Sequence, residues 1–387
     1  MVHLVTSTNS DGYYSALAKT WQKFGLKITS TPAKSSFSEY RQRVSSQFFK
    51  DAYEQDFKQH NEERMTFRGF YIYSADGDHL DLPASEDILK HGYRGYYVSK
   101  KEETHYPKMY TVQFVDVING LIARFSQSHE VSEVAQARKL ISTLEKNSIT
   151  LYDQLHSNHQ TAWEHEKAGN YFFARAKING PVSKAVQKFC RSNRKSAWVT
   201  LTPHRLLAEQ GVPPVRLRLI KVKNKKTKKV TVFMTNIPEG VIKNKEAAAL
   251  YQRRWGVESS FKDLTDTLKM CQWHSTKLNG IMQEIYTLFW LVNAVRRVAS
   301  SINTTTRNWL KERYKKSNFK LLAQMFAENM HLLMNRKRRS LIKLLGFWAM
   351  RSTEKREHMS RSYLREVKLN GKQYKNGSRV GRRPTAA

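Results

Sequence analysis

Cysteine is nearly absent. Cys190 and Cys271 stand far apart in 387 residues, with no CxxC and no Cys/His cluster, which argues against a structural zinc site and against a disulfide scaffold. Acidic residues are also scarce: 33 Asp plus Glu face 67 Lys plus Arg, a formal charge of +34. Such a chain repels itself unless it meets a polyanion, and nucleic acid is the obvious one. No apolar run approaches the ~20 residues that span a bilayer, and the opening MVHLVTSTNS has no signal-peptide core. A soluble protein is expected, cytoplasmic and nucleoid-associated, with no membrane partner. No internal repeat occurs, and no long low-complexity segment precedes the basic C-terminal stretch. Hydrophobic residues make up 40%, enough for a real core, and the length suggests two or three domains.

Residues 1–66 read as a small basic helical unit for DNA. It includes a capping-box pattern, Ser36 with Glu39, and Arg41, Arg43 and Lys50 beside Tyr40 suit a helix laid on phosphates. From Phe67 the period changes to two, and FRGFYIYSADGDHLDLP runs into Asp76-Gly77, a hairpin signal. KMYTVQFVDVI and GLIARFSQ read as two more strands joined at Asn119-Gly120. The amphipathic helix VSEVAQARKLISTLEK follows, then the strand ITLY stopping at Asp153, a helix around NHQTAWEHEKAG and the strand YFFARAK. That is an α/β order with five strands.

Residues 178–245 interrupt this order with strand-rich material that includes the lysine-rich turn NKKTKK, and the main unit resumes over 246–300. There LYQRRWGVESSFKDLTDTLK, residues 250–269, predicts one helix. At about 100° per residue, Tyr251, Arg254, Glu258, Lys262 and Thr265 fall in one polar stripe. Leu250, Val257, Phe261, Leu264 and Leu268 form a core-facing seam beside it. The bland reading of the polar stripe is an ordinary i,i+4 ion pair between Arg254 and Glu258. Next, GIMQEIYTLFWLVNAVRRVAS is a strongly apolar helix; residues 301–353 are basic helices, and 354–387 a basic tail expected to be disordered until it meets nucleic acid.

Three carboxylates stand out by position: Asp76 and Asp153 at strand ends, and Glu258 on the late helix. Two-metal phosphoryl chemistry needs this arrangement, because hard cations about 4 Å apart share one carboxylate and are held by others. Asp78 and Asp81 compete with Asp76, since a strand-end Asp is commonly a turn residue. Asp116 is expected to border the site or to pair with a base. His156, His159 and His165 lack a cysteine or acid at ligand spacing and are expected to be solvated or phosphate-facing. Trp198 is expected in the core, the alternative being a stack on an unpaired base.

The segments ADGDHLDLPASED, ITLYDQLHS with YFFARAK behind it, and LYQRRWGVESSFKDL resemble the insertion-sequence-4 family of DDE transposases over roughly residues 34–300. In that family an Asp-Gly at the first strand, an Asp after the fourth and a Tyr-x2-Arg-x3-Glu-x6-Lys helix form the site. The spacing matches at Tyr251, Arg254 and Glu258 and departs at the lysine, where Thr265 stands. The resemblance implies an RNase H-like catalytic core (67–177 and 246–300) with a strand-rich insertion, flanked by basic helices. It implies metal ligands Asp76, Asp153 and Glu258 holding two Mg2+ ions, or Mn2+, and Tyr251 and Arg254 on a terminal phosphate. On the same helix Lys262 lies one turn before Thr265 and Lys269 one turn after it, and Lys262, nearer Glu258, is favoured to stand in for the absent lysine. It further implies binding at terminal inverted repeats, a homodimer at synapsis and cut-and-paste strand transfer. The alternatives are an inactive DNA-binding derivative, which Thr265 favours, and a metal-dependent nuclease.

Overall fold

The computed structural model describes residues 1–5, 12–95, 97–99, 102–103, 106–130, 132–178, 184–223, 230–305, 315–351 and 353–355. The NKKTKK turn and all but the first two residues of the basic tail lie outside them.

Alternation at period two builds one mixed eight-stranded sheet. Its strands are β1 (Tyr71–Asp81), β2 (Lys108–Asp116), β3 (Leu121–Ser128), β4 (Ser148–Tyr152), β5 (Tyr171–Arg175), β6 (Ser196–Leu201), β7 (Val215–Lys223) and β8 (Val230–Thr235). Their order across the sheet is β3-β2-β1-β4-β5-β8-β7-β6. β1 pairs antiparallel with β2, and β2 with β3, as the Asn119-Gly120 turn predicts. Gly120 takes φ +70° there, the left-handed region that glycine enters without strain. β1, β4 and β5 run parallel. The strands of 178–245 continue this sheet through the antiparallel pair β5–β8.

Successive side chains of β1 divide between two cores. Tyr73 and Ala75 enter the cluster with Phe114, Tyr152 and Phe172 beneath the helices α3 (Glu133–Ile141) and α4 (His159–Ala168). Ile72 enters the opposite one, with Ile149, Leu151, Phe173, Phe233 and Leu250. Buried apolar area of this extent is the main favourable term of the fold.

Asp76-Gly77 is no turn. Asp76 pairs with Gln113 and Gly77 with Val112 inside the eleven-residue β1, because a strand partnered on both flanks overrides a local turn preference. The Ser36/Glu39 capping box is also unused: the N-cap of the helix α1 (Lys34–Arg43) is Ala33, three residues earlier, and Ser36 lies inside the first turn.

The N-terminal helices are fastened to the rest by buried polar groups. Arg41, 4% exposed, pairs with Glu284 at 2.5 Å and reaches the Gly280 carbonyl and Gln283. It therefore does not lie on phosphates as expected, because burying a guanidinium requires a paired carboxylate in place of water. Arg43 is exposed, and Lys50 is half-buried and pairs loosely with Glu54. From α2 (Ser46–Gln59) Tyr53 stacks on Tyr286 and donates to the Ile122 carbonyl. The apolar helix is α5 (Leu278–Thr305), with Ile281, Ile285, Leu288, Phe289 and Val292 buried. Its Asn293 amide accepts from Ile122 N and donates to Ile122 O, closing part of the edge strand β3. No helix among the described residues is long and apolar enough to cross a membrane.

Candidate active site

The parallel pairing of β1 with β4 sets Tyr71 beside Ser148 and Ser74 beside Leu151. The same register carried two residues further brings Asp76 level with Asp153. Side-chain alternation then puts Ile72, Ser74 and Asp76 on the face covered by the late helix. Ser74 Oγ donates to the Arg254 carbonyl at 3.1 Å, fastening that helix to β1. Gly256 allows close approach: a Cβ there would stand 2.9 Å from Val117 Cγ1.

The helix itself is not the uniform cylinder of the sequence reading. It runs as Ala247–Gln252, a 3-10 turn Arg253–Trp255, Gly256–Lys262 and a π turn Asp263–Thr267. The apolar seam holds nonetheless, with Leu250, Val257, Leu264 and Leu268 buried. The 100° projection fails beyond Lys262 because a π turn carries more residues per revolution. Lys269 consequently lies past the helix end at φ +54°.

Arg254, 8% exposed, sits between two of the acids: Nη1 donates to Asp76 Oδ2 at 3.3 Å and Nη2 to Glu258 Oε1 at 2.9 Å. The i,i+4 pair thus exists, but as one half of a bridge to a carboxylate 178 positions away. Tyr251 packs its ring on Phe233 and Phe173. Burial raises its phenol above the ordinary range, while Arg254 draws it down, Asp153 pushes it up and Arg175 draws it down. Tyr251, Arg254, Asp153 and Arg175 therefore share one electrostatic neighbourhood. Asp153 takes the Leu155 amide at 2.7 Å, which fixes its carboxylate at the strand end.

Asp76 is pushed up from 3.8 to about 6. Burial is the largest cause and the Glu133 charge the next; Arg254 and the Gly77 amide pull the other way, and Asp153 adds to the rise. Asp76 thus has the carboxylates of Glu133 and Asp153 in its electrostatic neighbourhood beside the Arg254 cation. Among the described residues no three His, Cys, Asp or Glu side chains form a ready metal cage. The oxygen donors Asp76, Asp153 and Glu258 nonetheless suit a hard divalent cation, and the Asp153 charge acting on Asp76 is of the sign that would draw one.

Lys262 is exposed and makes no ion pair among the described residues, so Glu258 does not hold it. Thr265 turns its hydroxyl to the Phe261 carbonyl at 2.9 Å. Asp116 is buried away from these acids and pairs with Arg64 at 3.3 Å.

The histidines differ from expectation. His165 is buried and shares hydrogen bonds with the Tyr152 hydroxyl and Asn170. His159 reaches the Pro213 carbonyl. His156, 1% exposed, is bonded through Nε2 to Glu133 at 2.9 Å. Apolar rings of the sheet, Tyr152 above all, exclude water from the two buried rings. Glu133 is the acid that sequence reasoning missed; it opens α3 like any first-turn carboxylate, and nothing local marks its neighbours. Trp198, expected in the core, is instead 37% exposed, because it lies on the edge strand β6 with Arg216 over its ring.

Strand register thus sets Asp76, inside β1, level with Asp153, just past the end of the parallel β4, and the late helix brings Glu258 to Asp76 through Arg254. Residues 68–294 match the model of the transposase DDE domain, and the chain belongs to that family. Among curated proteins none matches. Among solved structures the chain is similar to piggyBac transposase in its synaptic complex with hairpin DNA, at 13% identity and a TM-score of 0.42. The likeness covers 71% of this chain and 56% of that one, so this chain spans little more than half its length.

Proposed function

We propose that this chain is the transposase of an insertion sequence of the insertion-sequence-4 type. It binds the terminal inverted repeats of its element, nicks them hydrolytically to expose a 3′ hydroxyl, and directs that hydroxyl onto target DNA. What supports the reading is the register that sets Asp76 level with Asp153, together with Arg254, which bridges Asp76 and Glu258. The arrangement β3-β2-β1-β4-β5 with β1, β4 and β5 parallel supports an RNase H-like core. The charge of +34 supports duplex DNA as partner.

In this reading Asp76, Asp153 and Glu258 would hold two Mg2+ ions, or Mn2+, which would supply activation of a water or hydroxyl and charge neutralisation at the leaving oxygen. Arg254 keeps the acids close while they are otherwise uncompensated. Its fork of donors also matches a phosphate, so it serves a terminal phosphate whenever its carboxylates are neutralised by other charge. Tyr251, rigid on Phe233, offers its hydroxyl to the same phosphate. Lys262, exposed one turn beyond Glu258, supplies the cation that Thr265 does not. Two copies would act together at synapsis, on DNA in the nucleoid.

A second reading, a DNA-binding derivative without catalysis, rests on Thr265, whose hydroxyl is turned to its own helix. The experiment that separates them is excision in cells of a marker carried between the DNA flanks of this reading frame. Precise excision that requires Asp153 supports the transposase. Binding of the flanks without excision supports the derivative.

A further inference from the structure

One side chain touches both segments that carry the strand acids. Glu133, the first residue of α3, approaches β1 from the face opposite Asp76. A Cβ on Gly77 would stand 2.8 Å from its Cγ and 2.9 Å from its Cδ and Oε2. The backbone of Gly77 has no positive φ; what glycine provides there is room, since the Glu133 side chain occupies the place of a methyl group and would have to move for one. The same carboxylate accepts from His156 Nε2 at 2.9 Å, three residues after Asp153. His156 cannot turn away, since it is buried with its ring against Tyr152 at 4.6 Å. Glu133 therefore clamps the Asp76-Gly77 segment to the Asp153 loop from beneath the sheet, and its charge reaches Asp76.

We propose that Glu133, held by His156, is a positioning residue of the acid site: it fixes the spacing of Asp76 and Asp153 and adds a fourth negative charge to the field that retains divalent cations. It does not itself touch DNA or the reacting atoms. This rests on the reading of Asp76, Asp153 and Glu258 as a cation site. Losing a group hydrogen-bonded to a metal ligand typically lowers affinity about 10- to 100-fold; Glu133 acts one contact further out, through Gly77 and His156, so the low end of that range is expected.

The test is Mn2+ binding to the full chain without DNA, read by the loss of the free-ion paramagnetic resonance signal, for wild type, Asp76→Ala, Glu133→Gln and His156→Phe. Circular dichroism and duplex DNA binding on the same samples establish folding. Glu133→Gln keeps the shape and a hydrogen bond but removes the charge; His156→Phe keeps the ring on Tyr152 and frees Glu133. Both are expected to weaken Mn2+ about 10-fold, with DNA binding unchanged, and to raise the Mn2+ needed for half-maximal nicking by the same factor. Glu133→Gln within twofold of wild type, while Asp76→Ala has lost the ion, overturns the role of Glu133 and leaves the acid site standing. Wild type and Asp76→Ala binding Mn2+ equally overturns the acid site itself. Gly77→Ala, which pushes Glu133 away, is expected to reproduce the Glu133→Gln defect; wild-type Mn2+ affinity in that variant also overturns the proposal.

Discussion

Replacing Asp76 by Asn should make the protein more stable at neutral pH while removing its function. The carboxyl is pushed up from 3.8 to about 6 by burial first and by Glu133 second, against the pull of Arg254. The folded pKa lies above the unfolded one, so the folded state holds the proton more tightly and ionisation destabilises it. Two units correspond to at most about 3 kcal/mol at ~1.4 kcal/mol per unit. The side chain is 28% exposed, so screening reduces this to about 1–2 kcal/mol. Asn keeps an oxygen for the Gly77 amide that Asp76 Oδ1 accepts at 3.0 Å.

At ~2 cal/mol/K per residue, a chain of 387 residues then gains roughly 1–3 °C in Tm. The sign depends on pH. Below about 4 both states are protonated and the variants match; as pH rises from 4 to 6 wild type falls behind, and above 6 the gap is constant. Thermal melts at pH 4.5, 6 and 7.5 read this directly. An Asn variant less stable than wild type at pH 7.5, or a gap independent of pH, would refute the electrostatic account. Millimolar Mg2+ should narrow the gap by stabilising wild type.

Arg41→Ala leaves Glu284 buried without its guanidinium partner, with the His274 amide and ring on its other oxygen, and should destabilise by about 3 kcal/mol, seen in urea unfolding, whereas loss of DNA affinity without loss of stability would restore the surface role. His165, held neutral by burial and drawn down from 6.5 to about 3, makes stability fall as pH drops below 6.5, by up to ~1.4 kcal/mol per pH unit; His165→Asn should flatten that slope in acid melts. Binding to duplex DNA should weaken steeply with salt, each phosphate contact adding about −0.9 to the log-log slope; a slope near zero would remove the backbone as the main partner. Lys262→Ala should slow cleavage and Thr265→Lys should restore it, and normal cleavage by Lys262→Ala would show that the exposed lysine has no part.

Period two along YIYSAD made Asp76 legible as a strand acid, and the Tyr-Arg-Glu spacing made the helix legible. What was lost depends on contacts between distant positions. The Asp-Gly pair reads locally as a turn, and only pairing with Gln113 and Val112 keeps it extended. Arg41 reads as a phosphate ligand until Glu284, 243 positions away, is found beside it. Lys269 was misplaced because a constant 100° step cannot anticipate a 3-10 turn and a π turn within one helix. Glu133 carries no local mark, as its meaning lies in Gly77 and His156. One signal was available: a glycine inside a strand with no turn to serve often marks the close approach of another group.

The central claim is that Asp76, Asp153 and Glu258 form one cation-dependent site for cutting DNA. Its most direct measurement is strand nicking of the element-end duplex in Mg2+ by wild type and by Asp76→Ala, Asp153→Ala and Glu258→Ala, with DNA binding measured on the same samples. The account predicts that wild type nicks only with a divalent cation and leaves a 3′ hydroxyl, and that each variant binds as wild type does yet nicks at no detectable rate. Nicking at the wild-type rate by any one of them, or by wild type in the presence of a chelator, would contradict it.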